Sequence, residues 1–273
     1  MERPGAPLKE TDLARTGTTV GDVPVLVIGA RSAERRGLVI LLPPLGGTKD
    51  QFEPELRRLA AAGLIGVAID PRRHGERADR PAGALFDEVM AHFRQVMWPL
   101  LGGTVLDAMA VIDWVAARFE VPGPVLAGGV SMGGDAALAL AGIDPRVSRV
   151  AAIAATADWT RPGMTRIGRP QETIDQGAAT PSGQWLRDQL EPISHPDRYR
   201  RHLEIRCDVG GTDSHVPPEA MGRFARLLAD GSPRPSIQVI EHPGLDHAEI
   251  CSSPQILDES LDWLVAGSDS GSD

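Results

Sequence analysis

Along the chain, short unbroken apolar runs alternate with longer stretches whose apolar residues recur every three or four positions. Val23-Pro-Val-Leu-Val-Ile28, Leu38-Val-Ile-Leu-Leu42, Leu64-Ile-Gly-Val-Ala-Ile69, Val125-Leu-Ala127 and Val150-Ala-Ala-Ile153 belong to the first kind. They are short and mostly rich in β-branched side chains, so strands are expected there. Helices are expected over Phe52 to Ala62, Ala84 to Met97, Thr104 to Phe119 and Gly133 to Ala141. In the third, Val105, Met109, Ile112 and Val115 fall at helical spacing. The rhythm resumes with a strand near Leu203 to Cys207, a helix from Pro217 to Leu228, a strand from Ile237 to Ile240 and a helix from Pro254 to Val265. Strands buried on both faces and separated by helices imply an α/β fold with a mainly parallel sheet. Functional loops then belong at the carboxyl ends of the strands.

One stretch breaks the rhythm. Asp158 to Arg201 is rich in Pro, Gly, Arg and Gln, and a connection this long is usually functional or holds small elements of its own. It is expected to be a cap inserted into a single domain spanning residues 16–266. Residues 1–15 and the small, acidic tail 267–273 are expected to be flexible.

Composition narrows the function. The chain has 273 residues, 42% apolar and 24% charged, enough for a large core without disulfide or metal staples. Its formal charge of −9 and the absence of any basic tract argue against nucleic acid as a partner. The apolar runs are too short to cross a bilayer, and the first ten residues lack the apolar segment of a signal peptide. The expectation is a soluble, cytoplasmic protein that acts on a small molecule, with no membrane partner. The oligomeric state is not legible. Cys207 and Cys251 are too few for a disulfide framework or a thiolate metal site, and are read as reduced, partly buried thiols.

The sharpest local motif is Gly129-Val-Ser131-Met-Gly133, a G-x-S-x-G between an apolar strand and an alanine-rich helix. In that setting a tight strand-to-helix turn exposes the serine hydroxyl, and small residues flank it because the backbones crowd. The alternative is a glycine-rich turn whose serine caps the helix. A serine nucleophile needs a base, and His247, in the loop after the Ile237 strand, is the best placed of seven histidines. His242 sits too close to the strand end, and His195, His202 and His215 read as solvated loop histidines. The base needs a carboxylate. Asp213 follows the strand ending near Cys207, and its Gly210-Gly211 neighbours permit a tight turn. Its competing use is a turn or helix cap. Asp158 is the second possibility, whereas Asp246, adjacent to the base, would point elsewhere. Oxyanion donors are expected from the Met132 N–H and, because Pro43 and Pro44 have none, from the Leu45 N–H.

With these segments in place, the chain resembles the α/β-hydrolase-fold serine hydrolases of the dienelactone-hydrolase-like and prolyl-oligopeptidase-related kind. The resemblance runs over roughly residues 20 to 266. It is carried by Pro43 to Asp50, by Asp70-Pro-Arg-Arg-His-Gly-Glu-Arg77 with its D-x-R-x-H-G pattern, by Gly129 to Gly134, and by Gly210 to His247. It implies an eight-stranded, mostly parallel sheet, the order Ser131, Asp213, His247 for the triad, and no cofactor. Many relatives carry His-Gly where this chain has Pro43-Pro44, and dienelactone hydrolases use cysteine where this chain has Ser131. No N-terminal propeller is expected, so the gating of the oligopeptidase-type relatives is expected to have no counterpart here.

The reading is a hydrolase that cleaves a carboxylic ester, lactone or thioester through an acyl-enzyme. An acyltransferase, thioesterase or cyclase would use the same triad. A ligand-binding protein on this scaffold would be expected to lose triad members, and this chain retains them. Arg72 and Arg73 are candidates for holding an anionic substrate group, their alternative being ion pairs with Asp70, Glu76 or Asp79. Trp159 and Trp185 are candidates to line the cap's pocket, or to pack within it.

Overall fold

A computed structural model describes residues 12–30, 36–121, 123–230 and 233–266. The elements in chain order are β1 (Leu13–Val20), β2 (Val23–Ala30), β3 (Gly37–Leu42), α1 (Glu53–Ala61), β4 (Leu64–Ile69), α2 (Ala82–Ala91), α3 (Phe93–Phe119), β5 (Val125–Val130), α4 (Met132–Ile143) and β6 (Val147–Ile153). They continue with β7 (Thr165–Arg166), β8 (Arg169–Thr173), α5 (Pro181–Leu190), β9 (Glu204–Gly210), α6 (Glu219–Ala229), β10 (Ser236–His242), α7 (His247–Cys251) and α8 (Pro254–Ala266).

Eight strands form one sheet in the order β1-β2-β4-β3-β5-β6-β9-β10. β2 runs antiparallel to both β1 and β4, and the pairings from β4 through β10 are parallel. Alternate side chains explain the unbroken apolar runs. In β3, Leu38, Ile40 and Leu42 join the core beneath α3 and α4, while Val39 and Leu41 join the core beneath α1 and α8. Both faces are covered, so every position must be apolar. β3 lies between β4 and β5, the strands that follow it by opposite turns of the chain. That reversal opens a crevice beyond the carboxyl ends of β3 and β5, where the Pro43–Thr48 loop and Ser131 sit.

Three expectations are corrected. The sheet begins at Leu13, so Leu13, Ala14 and Arg15 pair with Ala30, Gly29 and Ile28 instead of belonging to a loose terminus. Residues 1–11 and 267–273 lie outside the described residues. The helices expected over 84–97 and 104–119 are divided differently, breaking at His92 and then running unbroken through Pro99 and Gly102-Gly103. The two glycines are packing sites: a β-carbon on Gly102 would meet the Leu186 side chain of α5 at 2.8 Å, and one on Gly103 would meet Arg72 at 2.7 Å. Finally, α3 is long and apolar enough to cross a bilayer by length and composition, although its Trp98, Leu101, Val105, Ile112 and Val115 are buried in the core.

Candidate active site

The nucleophile elbow is assembled by sterics. Ser131, between β5 and α4, has φ 51° and ψ −118°, a strained conformation for a residue with a side chain. Its N–H donates to Ile153 O at 2.8 Å, and its carbonyl accepts from Asp135 N–H at 3.0 Å. A β-carbon on Gly133 would sit 1.9 Å from Leu42 O, and one on Gly129 would sit 2.4 Å from the Gly133 backbone. The end of β3 is therefore pressed against the first turn of α4, which sets the following loop beside Ser131. That loop turns over Pro44 to Gly47, closed by Gly47 N–H on Pro44 O at 2.9 Å, with Gly46 at φ +83°. Leu45 opens the turn. Met132, the first residue of α4, has an N–H with no acceptor within the helix.

The other two side chains arrive on loops that are zipped together. Gly211 N–H donates to His242 O and Thr212 N–H to Leu245 O, continuing the β9–β10 pairing beyond the strands. Gly210 and Gly211 are needed for this approach: added β-carbons would meet Leu245 O at 2.6 Å and Glu241 Oε1 at 2.9 Å. Neither has positive φ, so their small size counts here and their conformational freedom does not. His247 opens α7, whose entry is fixed by a capping box between Asp246 and Glu249.

The result is a hydrogen-bonded line. Asp213 Oδ2 accepts from His247 Nδ1–H at 2.7 Å, and Ser131 Oγ–H donates to His247 Nε2 at 3.0 Å. Asp213 Oδ1 is held by the N–H groups of His215 (2.9 Å) and Val216 (2.7 Å), so the carboxylate is oriented from both ends. Asp213 and His247 are buried.

The sequence matches no protein-family model and no curated protein. Solved structures do match. A Klebsiella pneumoniae protein assigned as a dienelactone hydrolase is 15% identical, over 94% of this chain and 99% of its own, with a TM-score of 0.67. Esterase 2 of Thermogutta terrifontis, solved phosphoramylated by tabun, is 17% identical over 94% and 93%, with a TM-score of 0.61. A puromycin-hydrolysing peptidase of Mycobacterium tuberculosis is 18% identical, and 91% of this chain covers 38% of that longer one, with a TM-score of 0.65. The chain has the α/β-hydrolase fold.

Within this fold, the remaining candidates separate. Asp158 does not meet His247: it accepts from Thr160 and from Arg223 Nη2 at 2.8 Å, at the entrance of the 158–201 stretch. His242 Nε2–H donates to Asp208 Oδ1 at 2.9 Å, and His195 Nε2–H donates to Asp188 O at 2.7 Å. Arg72 is committed to Asp107, and Arg73 to Asp79 and Glu88, so both guanidinium groups have carboxylate partners, mostly different ones from those expected. Asp70 organises its loop instead, accepting from Lys49 N–H, Lys49 Nζ and Glu76 N–H. Neither tryptophan lines the cleft beside His247. Trp159 is sealed in the core, its carbonyl accepting from Trp98 Nε1 at 3.1 Å, and Trp185 is 60% exposed on α5.

Three residues near the site escaped the sequence reading. His215 is not solvated: its ring is buried, with its centroid 4.9 Å from that of His247. Burial, helped by the charges of Arg161 and His247, pushes its pKa well below the usual range. Its spacing of two from Asp213 was the available hint. Cys251 Sγ lies 3.6 Å from His247 Nε2, four residues on and so on the same helical face. Burial pushes its thiol up to about 12, which leaves it unreactive. Arg161 is fully buried at φ 41°, ion-paired to Asp135 Oδ2 at 2.5 Å and with Cζ 5.2 Å from the Phe93 ring centroid. No local pattern announces it.

Proposed function

We propose that this α/β-hydrolase is a serine hydrolase that cleaves a carboxylic ester of a small molecule through an acyl-enzyme on Ser131. The observation that carries the reading is the line Ser131–His247–Asp213 at 3.0 and 2.7 Å, which supplies nucleophile, base and orienting acid in one hydrogen-bonded chain. Asp213 fixes the tautomer that leaves His247 Nε2 unprotonated. Nε2 takes the Ser131 proton as Oγ attacks the carbonyl carbon. The N–H groups of Met132 and Leu45 hold the oxyanion. His247 then protonates the departing alcohol, and in the second half it deprotonates the water that releases the acid. The 158–201 stretch serves as the cap over the acceptor side, where its β7–β8 hairpin is tied to the acid loop by Thr165 N–H on Ser214 O.

The test is covalent. A fluorophosphonate probe should label the purified protein at Ser131, as located by peptide mass spectrometry. Ser131→Ala should remain folded, lose the label, and lose kcat on p-nitrophenyl acetate by a factor on the order of 10⁶. Labelling elsewhere, or undiminished hydrolysis by the variant, refutes the reading.

A further inference from the structure

We infer that His215 accepts a hydrogen bond from the leaving group or acyl acceptor of the reaction, so that this part of the substrate carries an O–H or N–H donor. The inference rests on the hydrolase reading and names a substrate feature within it.

The tautomer of His215 follows from its neighbour. Nδ1 lies 2.9 Å from Thr165 O, and a carbonyl oxygen can only accept, so Nδ1 carries the proton. The ring is 4% exposed and shares its surroundings with the positive charge of Arg161, so it stays neutral. Its Nε2 therefore presents a lone pair. Among the described residues no group donates to that nitrogen, which keeps some contact with solvent.

The ring borders a cleft of about 280 Å³, walled also by His247, Thr212, Ser214, Arg166 and Glu249. Ser131, Leu45 and Met132 are not among the residues that line it, and His247 is. The cleft therefore adjoins the base and suits the part of a substrate that exchanges a proton with that imidazole. Several polar side chains on the wall are already engaged. Ser214 Oγ bonds Thr165 Oγ1 at 2.6 Å, Arg166 pairs with Glu172 at 3.4 Å, and Glu249 Oε2 accepts from Asp246 N–H at 2.9 Å. His215 Nε2 remains as an acceptor without a protein donor. A purely alkyl group that covered it would strip its water and leave the acceptor unpaired, and sites built this way reject such ligands strongly. The cleft is smaller than the roughly 300–1,000 Å³ of drug-sized pockets, which favours a short hydroxylated alcohol or amino alcohol.

The experiment compares 2-hydroxyethyl butyrate with propyl butyrate, isosteres that differ in one terminal donor. The wild-type protein should favour the hydroxyethyl ester by about tenfold or more in kcat/KM. His215→Phe, which keeps a ring and removes the lone pair, should bring the two esters level. His215→Gln, whose amide oxygen can accept, should restore part of the preference. A purely structural role would lower both rates and leave their ratio unchanged. A wild-type ratio near one, or a preference that survives in His215→Phe, overturns the inference. Should the variants fold poorly, ¹⁵N NMR of the wild-type histidines decides the premise: an Nδ1–H tautomer for His215 supports it, and an Nε2–H tautomer overturns it. Fluorophosphonate labelling of the same preparations keeps the two claims apart. Labelling at Ser131 with a ratio near one sinks the inference alone, whereas no labelling sinks the hydrolase reading and the inference with it.

Discussion

The backbone around Ser131 and the stretch from Asp158 to Arg201 are neighbours, joined by the Arg161–Asp135 ion pair, yet they are built by different means. The elbow is fixed by main chain against main chain: Ser131 on Ile153, Asp135 on Ser131, and Gly133 against Leu42 with no room for a side chain. The 158–201 stretch is fixed largely by side chains reaching across long separations. Glu191 accepts from Trp159 N–H, Gln176 donates to the carbonyls of Thr160 and Arg161, and the Thr165 hydroxyl meets that of Ser214. The first construction holds the Ser131 side chain in one strained position. The second can change residue by residue without disturbing the sheet, which suits a wall that selects substrates.

The largest contrast should come from two glycines. Gly133→Ala forces a β-carbon to within 1.9 Å of the Leu42 carbonyl oxygen, and both partners are backbone. We expect a loss on the order of 5 kcal/mol or more, or failure to accumulate as folded protein. Gly163→Ala, in the other region, has no heavy atom within 4 Å of the added carbon but has φ +80°. It should cost about 1 kcal/mol through backbone strain alone. Urea denaturation of both variants measures the gap, and equal losses would remove the distinction between the regions.

That distinction also explains what could be read from the sequence. Periodicity locates elements whose partners are set by the sheet, so β3, β4, β5 and α4 were visible, and G-x-S-x-G marks a backbone geometry that only small residues allow. Asp213 and His247 were legible because each follows a strand in a chain order that the fold imposes. The ties of the 158–201 stretch were not legible. Arg161 finds Asp135 26 positions away and Trp159 finds Glu191 32 positions away, with no local pattern to announce either. His215 was misread for the same reason: its hydrogen-bond partner is the Thr165 carbonyl on the hairpin, 50 positions away. β1 was missed because its Thr-Gly-Thr-Thr run is largely solvent-facing at the edge of the sheet.

The junction between the two regions gives an intermediate effect. Arg161→Met should cost about 3 kcal/mol or more, because it leaves Asp135 buried without its cation. Combining it with Asp135→Leu should return part of that loss, since the uncompensated charge then disappears. A double-mutant cycle in urea reads this directly. Additive losses would mean that the pair does not couple the 158–201 stretch to α4, and that packing against Phe93 is what Arg161 supplies.

The smallest effect is expected at Trp185, and it separates the outer surface of the 158–201 stretch from a wall of the cleft. α5 buries Gly183 and Leu190 and packs Leu186 against α3, where Gly102 leaves room for it. Trp185 lies on the other face, 60% exposed, and is absent from the cleft that His247 and His215 share. Trp185→Ala should therefore change stability by no more than about 0.5 kcal/mol, as surface substitutions usually do. Its effect on KM should be equally small for short and long acyl esters, because no wall of the cleft is removed. A tenfold or larger rise in KM confined to long-chain esters (about 1.4 kcal/mol) would show that the exposed indole captures acyl chains. The outer face of the 158–201 stretch would then contact substrate, and its side chains would not act through the cleft alone.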